Sequence, residues 1–408
     1  MKKSILKKYA KLIAKVGANV QKGQDVLIRT SVHQEDLVTF IAEECYKLGA
    51  KRVVVDWSSD KLTKVIFQKE KVASLSEIPQ YIIEKEKYYN LVLPAFIFID
   101  DEDPDGLKGI DQAKMAEVMR NRYKILKPLR DERDNKYQWT IAGAPSEAWA
   151  KKVFPDLPKR KAIEKLWEAI LYTSRVTDDP IKAWDDHNAD LKNRSNYLNS
   201  LDIDYLEYHS LNGTDFKVWL NHDVIWEAGG EYVLGKDVYY NPNIPTEECF
   251  TTPIKGKAEG KVVATKPLSY QGQLIENFEI IFKDGKAVEV HAEKNEELLK
   301  HMISMDEGAA YLGECALVPF DSPINNLGIL FYSTLYDENC CCHLALGEGF
   351  TNLVKNYQNY SNEELHNMGI NDSQIHVDFM IGSKDLSITA HLRNGEEKPI
   401  FRDGNWSF

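Results

Sequence analysis

The chain has 408 residues, 43% hydrophobic and 28% charged, the balance of a soluble globular protein long enough for two domains. Its formal net charge is −12, from 51 basic and 63 acidic residues. That argues against DNA or RNA as the main partner, because phosphate binding needs a basic surface.

The predicted elements begin with a helix. Leu6, Tyr9, Ala10, Ile13 and Ala14 recur at helical spacing, and Gly17 supplies a stop. Residues 25–29 read as a strand. Leu37, Ile41, Cys45 and Leu48 form a helical stripe closed by Gly49, and residues 53–55 are a β-branched strand. Residues 90–99 read as another apolar strand, residues 115–123 as a helix and residues 138–142 as a strand. This alternation predicts an α/β N-terminal domain with a mostly parallel sheet. Ile163, Leu166, Trp167, Ile170 and Leu171 make one apolar helix face. Pro180 marks a break, and residues 184–198 are polar enough for a surface or connecting helix. The boundary is placed there, with domains at 1–180 and 181–408.

From residue 203 strands dominate: 205–209, 216–220, 261–265, 278–282 and 287–291. Asp284-Gly285 is a hairpin turn signal, and residues 296–302 form one clear helix. The second domain is predicted to be α+β with extensive antiparallel sheet.

The start, Met1-Lys-Lys-Ser-Ile-Leu-Lys-Lys, lacks the apolar core of a secretory signal. Residues 91–99 are too short to span a bilayer and contain Pro94, so no membrane partner is expected. Three of the six cysteines are consecutive, a poor disulfide framework. Free thiols in a reducing cytoplasm account for them most simply.

Four islands place charge among apolar residues: Asn243-Ile-Pro-Thr-Glu-Glu248, Leu312-Gly-Glu-Cys-Ala316, residues 337–347, and Ile375-His-Val-Asp-Phe379. Burying charge is costly unless it is paired or bound to a metal. His376 and Asp378 alternate on a strand, so both project from one face, where they suit zinc, cobalt or manganese. Alone, they also fit a surface pair on a half-exposed strand. Glu314 follows Gly313, read as a helix stop, and stands at the mouth of a strand. There it either bridges two metals or is simply exposed. His343 follows three cysteines. Adjacent residues on a regular strand cannot all face one ion, so a thiolate zinc knuckle is rejected and the small thiols are expected behind the site. Glu247 and Glu248 need a cation or a shared proton if both are buried; otherwise they are a solvated pair. A division of labour, one Glu ligating and its neighbour taking a proton, requires irregular backbone there. No G-x-S-x-G, H-E-x-x-H, Walker A or G-x-G-x-x-G pattern occurs.

In order and spacing, these islands resemble the thermophilic metallo-aminopeptidase family, the aminopeptidase T and aminopeptidase S group. Trp139-Thr-Ile-Ala142, Pro145-Ser-Glu-Ala-Trp149 and Phe154-Pro-Asp156 extend the resemblance over nearly the whole chain. It implies a cytoplasmic homodimer that removes N-terminal residues from peptides with free N-termini. It also implies two divalent metal ions in the C-terminal domain, held by Glu248, Glu314, Glu338, His343, His376 and Asp378. Mixed Glu, His and Asp ligation tolerates zinc, cobalt, manganese or magnesium. Glu247 is then the candidate general base. One departure stands out: Phe350 occupies a position that is often tyrosine in the family, and it cannot donate a hydrogen bond to a tetrahedral intermediate. Two alternatives remain open, a non-catalytic metal- or peptide-binding protein and a metal amidohydrolase of non-peptide amides.

Overall fold

Five strands run parallel in the first unit of the computed structural model, which describes residues 1–101 and 103–408. Their order is Asn243–Ile244, Trp139–Gly143, Ala95–Asp100, Asp25–Ser31 and Arg52–Ser58. Val26, Leu27, Ile28, Phe96 and Ile97 are buried, as expected for a parallel sheet whose connections are helices. This is the α/β domain expected from the alternating pattern.

Two differences have physical causes. Residues 90–92 are not strand; they finish the helix Gln80–Val92. Leu93 then takes a left-handed conformation at φ +46° and Pro94 precedes the strand Ala95–Asp100. Hydrophobicity alone does not separate a buried helix end from a buried strand. The second difference concerns domain continuity. The first unit comprises Met1–Trp184 and Gly230–Pro245, and the second Asp185–Gly229 and Thr246–Phe408, whereas each was expected as one stretch, 1–180 and 181–408. Asn243–Ile244 pairs in parallel with Ile141 and Ala142, which draws that segment into the first unit.

The second unit contains two sheets. The larger has nine strands, including Ile203–His209, Asp215–Leu220, Pro253–Val263, Gln273–Lys283, Lys286–Lys294 and Ser387–Leu392. Asp284 and Gly285 both have positive φ and close the expected hairpin. The smaller sheet runs in the order His376–Met380, His343–Gly347, Leu312–Leu317, Cys249–Thr251 and Glu227–Ala228, with antiparallel pairing throughout.

One hydrophobic core joins the two sheets. Leu206, Tyr208, Phe216 and Val218 from the larger pack with Leu312, Cys315, Leu317, Leu344, Leu346 and Phe379 from the smaller. Glu314 is not at a strand mouth; it lies within Leu312–Leu317. A bulge between Leu312 and Glu314 lets Leu312 and Cys315 both face the core although they are three residues apart. An extra residue in one strand resets which side chains point which way. Gly313 is part of this bulge rather than a helix stop. A Cβ there would lie 2.0 Å from Glu348 O, so no larger residue fits.

The consequence is a sheet with two chemically opposite faces. Leu344 is fully buried in the core and fixes the strand from which its neighbour His343 projects the other way. Leu344→Ala should destabilise the protein by about 2–5 kcal/mol, measured by denaturant unfolding. A loss well under 1 kcal/mol would contradict this packing.

Candidate metal centre

The outer face of the smaller sheet gathers four of the expected ligands by register alone. Glu314 is opposite Ala345, and Ala345 is opposite Asp378. His343 is opposite Ala316 and His376 opposite Gly347. Directly opposed residues project to the same side, so both histidines and both carboxylates share one face. Between them stand only Ala316, Ala345 and Gly347, whose small side chains leave the middle of that face clear.

Glu247 and Glu248 arrive from the irregular stretch between Asn243–Ile244 and Cys249–Thr251. Both are buried. The Glu247 N–H donates to Asn339 Oδ1 at 2.7 Å.

Two groups of three side chains offer ligand atoms that lie within 4.8 Å of one another: Glu248, Glu314 and His343, and Glu314, His376 and Asp378. Glu314 belongs to both. His343 Nε2 lies 3.3 Å from Glu248 Oε2 and 3.9 Å from Glu314 Oε1. His376 Nε2 lies 3.1 Å from Glu314 Oε2 and 3.4 Å from Asp378 Oδ1. The two oxygens of one carboxylate thus face two different imidazoles.

Backbone carbonyls set the orientation of both rings. Nδ1 of His343 meets Cys341 O at 3.3 Å, and Nδ1 of His376 meets Glu348 O at 2.8 Å. A carbonyl only accepts, so each Nδ1 carries a proton by inference from its partner. Each Nε2 therefore faces the carboxylates, the arrangement found when a second hydrogen bond orients a metal-binding histidine.

Protonation shows how crowded the charge is. Burial pushes the Glu314 carboxyl up to about 7, with Asp378 and Glu248 adding to the rise and His376 opposing it. Burial also raises Glu338 well above the carboxylate range, reinforced by Asp378 and Glu248. Glu338 is outside both groups of three but sits in the same field. For His343 and His376, burial opposes protonation, yet the surrounding carboxylates outweigh it and raise both rings well above the usual histidine value. Burial works against ionising Asp378 too, but His376 and His343 hold it down at about 2. Asp378 Oδ1 is sealed from solvent, and among the described residues it has no hydrogen-bond donor in good geometry. A buried carboxylate oxygen in that position fits a cation. Imidazole nitrogens and carboxylate oxygens together form the donor set of zinc, cobalt or manganese.

Phe350 lies at the edge of this group. Its ring is 5.1 Å from that of His376 and 5.3 Å, edge-to-face, from that of Phe250. His376 is the most open of the candidate ligands, with its side chain 29% exposed. None of the six cysteines enters a candidate ligand group among the described residues, and Cys249, Cys315 and Cys342 lie in the core.

Two residues near the site carried no recognised signal. Asn339 is fully buried; it fixes the Glu247 backbone and donates from Nδ2 to Glu338 Oε1 at 3.2 Å. His187 lies with Nε2 2.8 Å from Thr246 O and 3.9 Å from Glu247 Oε2. Asn339 lies within residues 337–347, where an amide side chain carries no ligand or proton-transfer signal. His187 belongs to a helix whose polar sequence reads as connecting, and nothing in its spacing points to the site.

Residues 2–406 match the thermophilic metalloprotease family M29. The chain belongs to this family. It is 41% identical over 405 residues to aminopeptidase AmpS of Bacillus subtilis (strain 168), covering 99% of this chain and 98% of that protein. It is 35% identical over 403 residues to aminopeptidase T of Thermus aquaticus, with 98% of each covered. Among solved structures, wild-type AmpT from Thermus thermophilus superposes with a TM-score of 0.90 at 34% identity, covering 100% of both chains. The M29 family assignment agrees with the resemblance read from the four islands.

Metal uptake by this M29 chain should release protons. Glu314 and both imidazoles must lose protons held in the cation-free cluster before they can ligate. Affinity for zinc or cobalt should therefore rise as pH increases from about 6 to about 8. Calorimetry in buffers of different ionisation enthalpy would read the released protons directly. Affinity that is flat with pH, with no proton release, would contradict the shared-proton cluster.

Proposed function

We infer that this chain is a metal-dependent aminopeptidase that hydrolyses the first peptide bond of peptides with a free N-terminus. The observation that carries the inference is Glu314, whose two oxygens face His343 and His376 in two adjoining ligand groups. That arrangement supports a dinuclear site held by Glu248, Glu314, Glu338, His343, His376 and Asp378. The aminopeptidase names of its relatives support peptides as the substrate class.

Divalent ions bound there would supply Lewis acidity towards the scissile carbonyl and lower the pKa of water towards neutrality. The protein's own groups do the rest. The excess of carboxylates attracts the substrate's α-ammonium group. Glu247, beside but outside both ligand groups, takes a proton from the attacking water. As the C–N bond breaks, it returns that proton to the leaving amine. Phe250 and Phe350 form an apolar edge beside His376.

Phe350 favours a second reading, a non-catalytic metal- or peptide-binding protein, because its ring has no donor for a developing oxyanion. A metal amidohydrolase of non-peptide amides is the other alternative. A cytoplasmic homodimer is part of the same proposal. Six free, buried cysteines suit a reducing compartment, and light scattering would read the subunit number. No helix among the described residues is long and apolar enough to cross a membrane.

The test is a panel of aminoacyl amides and short peptides, with free and blocked N-termini, assayed after chelation and after adding back zinc, cobalt, manganese or magnesium. Metal-restored release of the first residue from unblocked peptides alone is expected. Turnover of blocked substrates would favour the amidohydrolase, and bound metal without turnover the binding protein. Glu247→Gln should lower kcat by about 10²–10⁴-fold while metal content stays the same; full turnover would remove Glu247 from this role. Peptides beginning with Asp or Glu should be cut more slowly than neutral ones at low salt, and equal rates would contradict the electrostatic account.

A further inference from the structure

We propose that His187 is a positioning residue that fixes the peptide carrying Glu247 and aims its carboxylate at the reaction. This rests on the reading of Glu247 as the group that accepts the proton of water.

His187 lies on the helix Pro180–Ser200. Leu191 and Leu198, four and eleven residues on, share its face and are buried in the core of the second unit. That spacing places His187 on the packed side of the helix. The helix holds the Glu247-Glu248 dipeptide from both ends. On one side His187 Nε2 is 2.8 Å from Thr246 O. On the other, Cys249 Sγ donates to Leu191 O at 3.7 Å. Asn339 takes the intervening Glu247 N–H. The loop has no regular secondary structure of its own here, so these contacts define its path.

Among the three, His187 also faces the Glu247 carboxylate. Its Nε2 lies 3.9 Å from Oε2, and the two side chains are 8% and 6% exposed. Because Thr246 O can only accept, Nε2 carries a proton, and that N–H is committed to the carbonyl. At 3.9 Å the carboxylate is beyond hydrogen-bond distance. The imidazole therefore orients Glu247 through its backbone and by the positive edge of the N–H. A leucine would serve helix packing as well, but it would give neither effect. An outer partner of this kind is worth about 10–100-fold in activity.

The experiment compares His187→Ala and His187→Gln in the full-length, metal-loaded protein. The glutamine places an amide N–H near the Nε2 position. His187→Ala should lower kcat about 10–100-fold, with KM and metal stoichiometry unchanged, and His187→Gln should restore most of the loss. In a Glu247→Gln background, His187→Ala should add little, because the two residues act as one unit. A second readout uses metal-free protein labelled with ¹³C. The Thr246 carbonyl and Glu247 carboxylate shifts should move in His187→Ala and return in His187→Gln. Unchanged kcat, loss of metal, or an undiminished effect in the Glu247→Gln background would overturn the proposal. If the wild type turned over no peptide with any metal, the aminopeptidase reading would fail by itself. The carbon shifts would then decide His187 alone, and shifts that do not move in His187→Ala would overturn its role.

Discussion

Four carboxylates held around two imidazoles, largely out of water, are the constraint on which the second unit depends. Like charges at this spacing repel, and burial removes the solvent that would screen them. Without a cation the cluster lowers its charge by holding protons: burial pushes Glu314 up to about 7 and Glu338 well above the usual carboxylate range, and both histidines favour the imidazolium. Asp378 is held down at about 2 against its burial, because His376 and His343 both act on it. Such a cluster contributes little to stability by itself. It must be held in place by something else, and the core behind the sheet does that.

The smaller sheet is the device that makes this possible. Alternation sends Leu344, Leu346 and Phe379 into a shared core and His343, Asp378 and Glu314 the other way. The bulge at Gly313 brings Glu314 into phase with its neighbours. Ala316, Ala345 and Gly347 keep the centre of the polar face empty of bulk. Gly347 has φ +106°, and a Cβ there would lie 1.9 Å from Ile375 O, so its smallness is required by the backbone as well as by the site.

Much of this was legible in the residues. The alternating elements of the first unit, the antiparallel strands after residue 203, the Asp-Gly hairpin and the helix Glu296–Met302 all follow local patterns. His376 and Asp378 were readable because strand alternation is a local rule. What could not be read depended on tertiary structure. The bulge that moves Glu314 into mid-strand breaks the period-two pattern. Residues 90–92 are apolar in helix or strand alike. The pairing of Asn243–Ile244 with Trp139–Gly143 joins segments about a hundred residues apart. His187 reaches the Glu247 loop only because a helix face and an irregular loop meet, and neither carries a sequence signature.

The alternation has a further consequence for which metals the protein can select. Cys315 follows Glu314, and Cys342 precedes His343, yet their thiols lie on the other side of the sheet. Cys342 Sγ donates to Val318 O at 3.3 Å, and Cys315 Sγ is 2.8 Å from Tyr208 OH. Burial pushes both thiols up, Cys315 to about 12, away from the thiolate that a soft cation would need. One layer of backbone therefore separates hard donors from soft ones at adjacent positions in the chain. A cadmium or mercury ion seated in either candidate ligand group would meet carboxylate and imidazole donors, because no cysteine belongs to either group among the described residues.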